Sequence, residues 1–174
     1  MVLFLSQCTN TLDLLLKNQP TKKRPDAAFR LRENQIPNPP PPWIRYLANG
    51  APYPNVVVEV AVNNESPQKL MDDADRYFSP ITSTRVWIGV KVWLKDKKFW
   101  VGWAERAANG VGATIHTTMR WPPNHHPWDT AVNTIYQIPM ALIYGPGIPI
   151  PPNSGAFLHI DTDMIRKEIV ECLM

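Results

Sequence analysis

The most strongly patterned stretch of the chain is residues 56–62, which read Val-Val-Val-Glu-Val-Ala-Val. A nearly continuous run of β-branched residues predicts a strand that is buried on both faces. Because side chains alternate along a strand, Val57, Glu59 and Ala61 should share one face, and the other valines should share the opposite face. Glu59 is therefore the polar exception inside an apolar element.

A helix is predicted directly after this strand, over residues 67–78. Ser66 followed by Pro67 is a favourable helix start, since serine caps the free N–H groups and proline suits the first turn. The apolar positions of the helix fall on one face by their spacing, and they are Leu70, Ala74, Tyr77 and Phe78. The pattern thus predicts a strand followed by an amphipathic helix that packs against a core.

The rest of the chain predicts further strands around this unit. Residues 85–94 and 99–104 alternate as the two strands of a hairpin, around a charged turn at 95–98. Weaker patterns predict a helix at 10–17, strands at 25–32, 113–119 and 156–160, an extended segment at 135–144 and a terminal helix at 162–172. The prolines between Ile36 and Trp43 exclude a regular helix or inner strand, and they predict a stiff polyproline-type connector.

Together these elements predict one α/β domain over residues 1–174, with a mixed β-sheet flanked by helices and a proline-rich insertion. A chain of 174 residues with 44% hydrophobic residues has the size and composition of one domain with its own core. No run approaches the roughly 18 apolar residues of a membrane span. The two cysteines, Cys8 and Cys172, lie near opposite ends of the chain and show neither the spacing of a metal site nor a paired framework, which favours a reducing compartment. We therefore expect an intracellular protein, in the nucleus or the cytoplasm, that is neither secreted nor bound to a membrane.

Basic residues are concentrated in two groups, although the net charge is only +3 from 18 basic and 15 acidic residues. The first group surrounds Asp26 and comprises Lys22, Lys23, Arg24, Arg30 and Arg32, and the second comprises Lys91, Lys95, Lys97 and Lys98. Such groups are either solvated surface patches or contacts for an anionic partner, and the sequence leaves both interpretations open. If nucleic acid is the partner, its phosphates are expected to contact Lys22, Lys23, Arg24 and Arg30.

The strand position of Glu59 calls for a partner, because a buried carboxylate is costly unless it is paired, protonated or bound to a metal. For Glu59 alone, a salt bridge to an arginine within a structural module is the competing explanation. Asp26 changes this balance, because it opens a second short strand directly after Pro25. If the two strands pair, Asp26 and Glu59 meet at one edge of the sheet. With the backbone carbonyl of Val60, they would then offer hard oxygen ligands for Mg²⁺ or Mn²⁺.

A Pro-Asp pair at 25–26, followed by Val-Val-Glu-Val at 57–60, resembles the PD-(D/E)XK nuclease superfamily and, within it, the Uma-type restriction endonucleases. The similarity covers residues 22–104, including the helix that ends in Tyr-Phe and the strand that contains Val-Trp. It implies a restriction-endonuclease-like fold and a nuclease that uses Mg²⁺ or Mn²⁺ to hydrolyse phosphodiester bonds, foremost in DNA. It also implies that Asp26 and Glu59 hold the metal, and it is compatible with a homodimer.

The chain departs from the superfamily pattern at the position of the catalytic lysine. Members of the superfamily carry a basic residue two places after the second acidic residue, and this chain has Ala61 there. Some relatives place the lysine on the following helix, at the position of Asp73, which is not basic either. The remaining candidates for a catalytic lysine are Lys69 on the helix and Lys91 on the next strand, and the competing interpretation makes both of them surface residues. The alternative function is therefore a catalytically degenerate nuclease-like domain that binds nucleic acid or protein.

Overall fold

The computed structural model describes residues 26–62, 65–93, 95–96, 98–107, 113–120, 135–161, 163–164 and 167. The strands are β1 (Ala27–Phe29), β2 (Val56–Val62), β3 (Val86–Trp93), β4 (Lys98–Arg106), β5 (Ala113–Arg120), β6 (Ile135–Pro139) and β7 (Phe157–Asp161). Two helices have described bounds, α1 (Pro67–Tyr77) and α2 (Met140–Tyr144), and a 3-10 turn covers Glu33–Gln35. The described residues therefore form a mixed α/β fold.

The first five strands form one sheet in the order β1-β2-β3-β4-β5. β1 runs antiparallel to β2, with Ala27 opposite Val58 and Phe29 opposite Val56. β2 and β3 are parallel and are joined through α1, since parallel neighbours need a crossover connection. β3, β4 and β5 continue the sheet as antiparallel neighbours. The pairing of the first two predicted strands is confirmed, and so is the predicted hairpin of β3 and β4.

The sheet carries a core on each face. The helix-side core lies where α1 packs on the sheet, and it consists of Leu47, Tyr53, Val57, Ala61, Leu70, Ala74, Tyr77, Phe78, Trp87, Trp100 and Ala104. The core on the opposite face, here called the hairpin-side core, joins the sheet to α2 and to the antiparallel pair of β6 and β7. It includes Leu31, Ile44, Val56, Val86, Ile88, Trp103, Ile138, Met140, Ile143, Tyr144, Ile148 and Leu158. The predicted division of the β2 side chains between two faces is thus confirmed.

Helix α1 begins where the sequence predicts it. Ser66 is the N-cap residue, and its hydroxyl accepts a hydrogen bond of 3.1 Å from the backbone N–H of Lys69. The buried face of the helix contains the predicted apolar residues and also Asp73, which is 6% exposed. The cap and this face together fix the helix against the sheet.

The C-terminal end of α1 is held by Arg106 at the end of β4. Its guanidinium donates hydrogen bonds of 2.8–3.4 Å to the backbone carbonyls of Tyr77, Phe78, Ser79, Thr82 and Thr84. Burial and the charges of Arg85 and Arg45 lower the pKa of Arg106 to about 10, so the side chain stays protonated at neutral pH. One charged residue therefore satisfies the carbonyls of the turn that follows the helix.

The structure differs from the prediction at the end of β2 and in the segment 135–144. Val60 and Val62 are 40% and 45% exposed, although the pattern predicts burial on both faces. Among the described residues, β1 pairs with β2 only as far as Val58, so the second half of β2 forms an edge. The extended segment predicted at 135–144 is strand β6 followed by α2, which ends at Gly145 with a φ of 81°. An apolar run of this kind does not by itself distinguish a strand from a helix.

The proline-rich connector is anchored at its end. The indole Nε1 of Trp43 donates a hydrogen bond of 2.9 Å to the carbonyl of Pro146. The guanidinium of Arg85 lies over the same ring, 5.1 Å from its centroid. The connector is therefore joined to the loop that follows α2, while its prolines at 37, 39, 40 and 42 are exposed.

The last predicted elements to compare lie near the two ends of the chain. The strand predicted at 25–32 is only the three residues of β1, and the predicted C-terminal strand is β7, which pairs with β6 in a separate two-stranded sheet. The helix predicted at 10–17 lies outside the described residues, and of the helix predicted at 162–172 only residues 163, 164 and 167 are described, all helical. None of the helices in this described part has the length and apolar character needed to cross a membrane.

Candidate active site

The buried carboxylate of Glu59 is held by a tyrosine from the helix. Glu59 is only 2% exposed and points to the face of β2 that α1 covers. The hydroxyl of Tyr77, in the last turn of α1, donates a hydrogen bond of 2.5 Å to Oε1 of Glu59. The bond joins the last turn of the helix to the middle of the strand inside the core. It also fixes the direction in which the carboxylate is presented.

The charges of three carboxylates influence the ionisation of the Tyr77 hydroxyl. Burial raises the pKa of Tyr77 far above its usual range, and the charge and hydrogen bond of Glu59 raise it further. The carboxylates of Asp26 and Asp73 act in the same direction. Tyr77 therefore stays a neutral hydrogen-bond donor at neutral pH.

Asp26 reaches the backbone of β2. Its Oδ2 accepts a hydrogen bond of 2.6 Å from the N–H of Val60, the residue next to Glu59. Within a strand, the N–H and the carbonyl of one residue point to the same side. The Val60 carbonyl therefore points to the same edge of β2 as its N–H, the edge at which Asp26 lies. The antiparallel register of β1 with β2 produces this placement, since Ala27 lies opposite Val58.

Asp73 is a further acidic residue near Tyr77, and the sequence pattern does not predict a role for it. It lies one helical turn before Tyr77 on the buried face of α1, and its carboxylate is 3.5 Å from the guanidinium of Arg76. The spacing of four residues from Tyr77 is the signal that could have identified it, because residues at i and i+4 share a helix face. This is the position at which some members of the resembled superfamily carry a basic residue.

Lys91 lies on the face of the sheet that carries Glu59. It is the register partner of Ala61 in the parallel pair of β2 and β3, and it is 0% exposed. Its Nζ lies 5.5 Å from the ring centroid of Trp93. Burial lowers the pKa of Lys91, and the carboxylate of Glu65 opposes that shift. A lysine is thus buried beside the position at which the resembled superfamily has one.

The other predicted basic residues lie elsewhere. Lys69 is on the exposed side of α1, where its Nζ is 3.4 Å from Glu65 in an i, i+4 ion pair and the side chain is 61% exposed. That position separates it from the buried Glu59. Arg30 is half-buried, and burial lowers its pKa. Lys22, Lys23 and Arg24 lie outside the described residues.

The oxygen atoms of Asp26, Glu59 and Val60 are of the chemical kind that a hard divalent cation prefers. The carboxylates of Asp26 and Glu59 and the carbonyl of Val60 are the ligand types that Mg²⁺ and Mn²⁺ prefer. Within the described residues, no group of three His, Cys, Asp or Glu side chains is placed to hold a metal. A cation here would therefore have two carboxylates, one carbonyl and water as ligands. Mg²⁺ suits such a set, since it keeps several of its waters in protein sites.

Comparisons of the chain with protein-family models, with curated proteins and with solved structures give no match. The likeness to the PD-(D/E)XK nucleases therefore depends on the order of motifs in the sequence. Since one fold supports many functions, the function has to be argued from the chemistry of the residues around Glu59.

Proposed function

We propose that the protein is a metal-dependent nuclease with a restriction-endonuclease-like fold, which hydrolyses phosphodiester bonds, foremost in DNA. Asp26, Glu59 and the Val60 carbonyl would hold Mg²⁺ or Mn²⁺. The observation that carries the proposal is the hydrogen bond from the Val60 N–H to Asp26, which brings a second carboxylate to the residue that follows Glu59.

The arrangement of elements supports the same proposal. A buried strand carrying an acid, a helix and a second parallel strand follow one another, and an antiparallel strand lies on the outer side. This order matches the order of motifs in the resembled superfamily. Asp26 is exposed, whereas Glu59 and Tyr77 are buried. A substrate would therefore approach from the side of Asp26 and the β2 edge.

A bound cation would supply positive charge to the phosphate and a more acidic water for the attack. The chain would supply the orientation. Tyr77 holds Glu59 in place through its hydroxyl, and the Val60 N–H does the same for Asp26. Two carboxylates fixed by neutral donors need little rearrangement when charge develops on the substrate, which favours catalysis by preorganisation.

The second candidate is a degenerate nuclease-like domain that binds nucleic acid or protein without cutting. Ala61 at the usual lysine position favours it, and so does the burial of Glu59 and Lys91 at 2% and 0% exposure. The two functions differ in one property that is simple to measure, since only the first requires metal-dependent turnover.

The test is cleavage of supercoiled plasmid and of single-stranded DNA with Mg²⁺ or Mn²⁺. We expect cleavage by the wild type and its loss in Asp26→Asn and in Glu59→Gln, with each protein checked for folding by circular dichroism. Asp75→Asn is the matched control, because Asp75 is an exposed carboxylate of the same helix as Tyr77. Absence of cleavage by the wild type with both metals and both substrates would leave the degenerate domain as the better proposal.

A further inference from the structure

The proline-rich connector contains a stiff run of four prolines, from Pro39 to Pro42. Proline fixes its own φ angle at about −65° and restricts the residue before it to extended conformations. Residues 39, 40 and 41 each precede a proline, so the sequence alone restricts all three to the polyproline-type region. Such a helix has about three residues per turn, and the rings of Pro39 and Pro42 therefore lie along one edge of it.

Only one edge of this run packs on the protein. The ring of Pro41 is half-buried against Gly147, where an added Cβ would lie 3.5 Å from Cγ of the proline. Pro39, Pro40 and Pro42 are exposed. Contact with the rest of the domain therefore accounts for the ring of Pro41, whereas the other three rings are presented to the solvent.

The residue after the run holds it in place. The indole of Trp43 donates a hydrogen bond of 2.9 Å to the carbonyl of Pro146, and the guanidinium of Arg85 lies 5.1 Å from the ring centroid. The same ring covers Gly145 so closely that an added Cβ would lie 2.6 Å from it. A segment that is already held in one shape loses little conformational freedom when a partner binds it, which favours association.

A positive charge lies at the end of the exposed edge. Arg45 is exposed, and its guanidinium donates a hydrogen bond to the carbonyl of Pro42. Burial and the charges of Arg85 and Arg45 lower the pKa of Arg106, so the three guanidinium groups lie close enough to interact. The carboxylate of Glu105 opposes this charge at Arg85. With three arginines and one glutamate, this region favours a partner that carries acidic side chains.

We propose that residues 39–45 are a docking site for a protein domain of the SH3 kind, which binds proline-rich segments in a groove lined by aromatic residues. Pro39 and Pro42 provide the Pro-x-x-Pro spacing that such a groove accepts, and their rings fill its pockets. Arg45 pairs with acidic side chains beside the groove and so selects among grooves of similar shape. This interaction goes beyond the proposed nuclease function and does not involve Glu59, so its test needs no cleavage.

The experiment titrates the full chain with a panel of purified SH3 domains whose grooves carry acidic side chains, and isothermal titration calorimetry gives the affinity. We expect saturable binding that weakens as the salt concentration increases. Pro39→Ala combined with Pro42→Ala should weaken the binding by about tenfold or more, as for truncation of interface residues that fill pockets. Arg45→Gln should weaken it as well and should reduce its dependence on salt. Circular dichroism checks that each variant is folded.

Pro149→Ala combined with Pro152→Ala is the matched control. These two prolines are also exposed and have the same spacing, but no arginine follows them in the loop after α2. The control should bind as the wild type does. The inference is overturned by loss of binding in the control, by wild-type affinity of the Pro39 and Pro42 variant, or by an Arg45→Gln variant with unchanged affinity and salt dependence. Absence of binding to every SH3 domain of the panel, or binding only to WW or EVH1 domains, overturns it as well.

Discussion

The hydroxyl of Tyr77 and Oε1 of Glu59 are 2.5 Å apart, and their hydrogen bond joins helix α1 to strand β2 at a place with almost no solvent. Glu59 has a tyrosine as a neutral hydrogen-bond donor within this core. Because the tyrosine is buried and packed, its hydroxyl holds the carboxylate in one orientation. The relationship links the stability of the fold to the direction in which the proposed metal ligand points.

Tyr77→Phe should therefore lower both stability and activity. The change keeps the ring and removes the bond to a charged group, which contributes about 1.5–3 kcal/mol. We expect a decrease of that size in the free energy of unfolding, measured with urea. In a Glu59→Gln background the same change should cost clearly less, because the charged partner is absent. Equal costs in the two backgrounds would show that the hydroxyl does not stabilise Glu59.

Asp26→Asn is expected to separate function from folding. Asp26 is exposed, and asparagine retains an oxygen that can accept the hydrogen bond of the Val60 N–H. The free energy of unfolding should therefore change by less than about 0.5 kcal/mol, as for most surface substitutions. Cleavage with Mg²⁺ or Mn²⁺ should be lost. A large loss of stability would mean that the carboxylate itself holds β1 on β2.

Divalent cations should stabilise the wild type. A ligand that binds only the folded state adds about 2.7 kcal/mol at a concentration 100 times its Kd. We expect Mn²⁺ to raise the melting temperature in a concentration-dependent way, as followed by differential scanning fluorimetry. Asp26→Asn and Glu59→Gln should show a much smaller increase, whereas Asp75→Asn should behave as the wild type. The same increase in all four proteins would place the binding site elsewhere.

Gly89→Ala is expected to disturb the surroundings of Glu59 without altering any charge. An added Cβ would lie 2.2 Å from Cη2 of Trp87, whose ring lies over the glycine in the helix-side core. Overpacking of this kind costs about 1–3 kcal/mol. Calorimetric melting should show the loss, and Trp87→Phe in the same chain should recover part of it. A neutral effect would mean that the Trp87 ring can move aside.

Arg106→Lys tests the connection that holds the end of α1. A lysine cannot supply the fork of donors that reaches the carbonyls of the turn after the helix. Buried carbonyls left without donors cost about 1–3 kcal/mol each, so the unfolding free energy should decrease by about 3 kcal/mol or more. Hydrogen exchange should become faster at residues 77–84 and change little in β2. Uniformly faster exchange would contradict a local role.

The sequence predicted the local elements better than the contacts between them. The valine run of β2 and the Ser66-Pro67 helix start depend on neighbouring residues, so their patterns are visible along the chain. Met140–Tyr144 falls in the segment predicted to be extended, and it forms a short helix instead. An apolar run of this length does not by itself distinguish a strand from a helix. The residues of this helix pack in the hairpin-side core, and such contacts between distant segments are not visible in a local sequence pattern.

The same distinction applies to the candidate site. The position of Asp26 beside β2 was expected from the condition that two short strands pair, and the register of β1 meets that condition. The placement of Lys91 next to Ala61 could not be derived, because the register of two strands joined by a helix depends on the whole sheet. As candidates for a catalytic lysine, Lys69 and Lys91 are equivalent in the sequence, and the structure distinguishes them because Lys69 is exposed and Lys91 is buried.

The short pairing of β1 with β2 has a consequence for the self-association of the protein. Among the described residues, the main chain of β2 beyond Val58 faces outward, next to the exposed side chains of Val60 and Val62. An apolar edge of this kind is a template for strands of other molecules. Asp26 occupies the Val60 N–H and adds a negative charge there, and charge at an exposed strand edge disfavours pairing with another strand. A proposed metal ligand would thus also act as a gatekeeper against aggregation, so its loss would reduce solubility as well as cleavage.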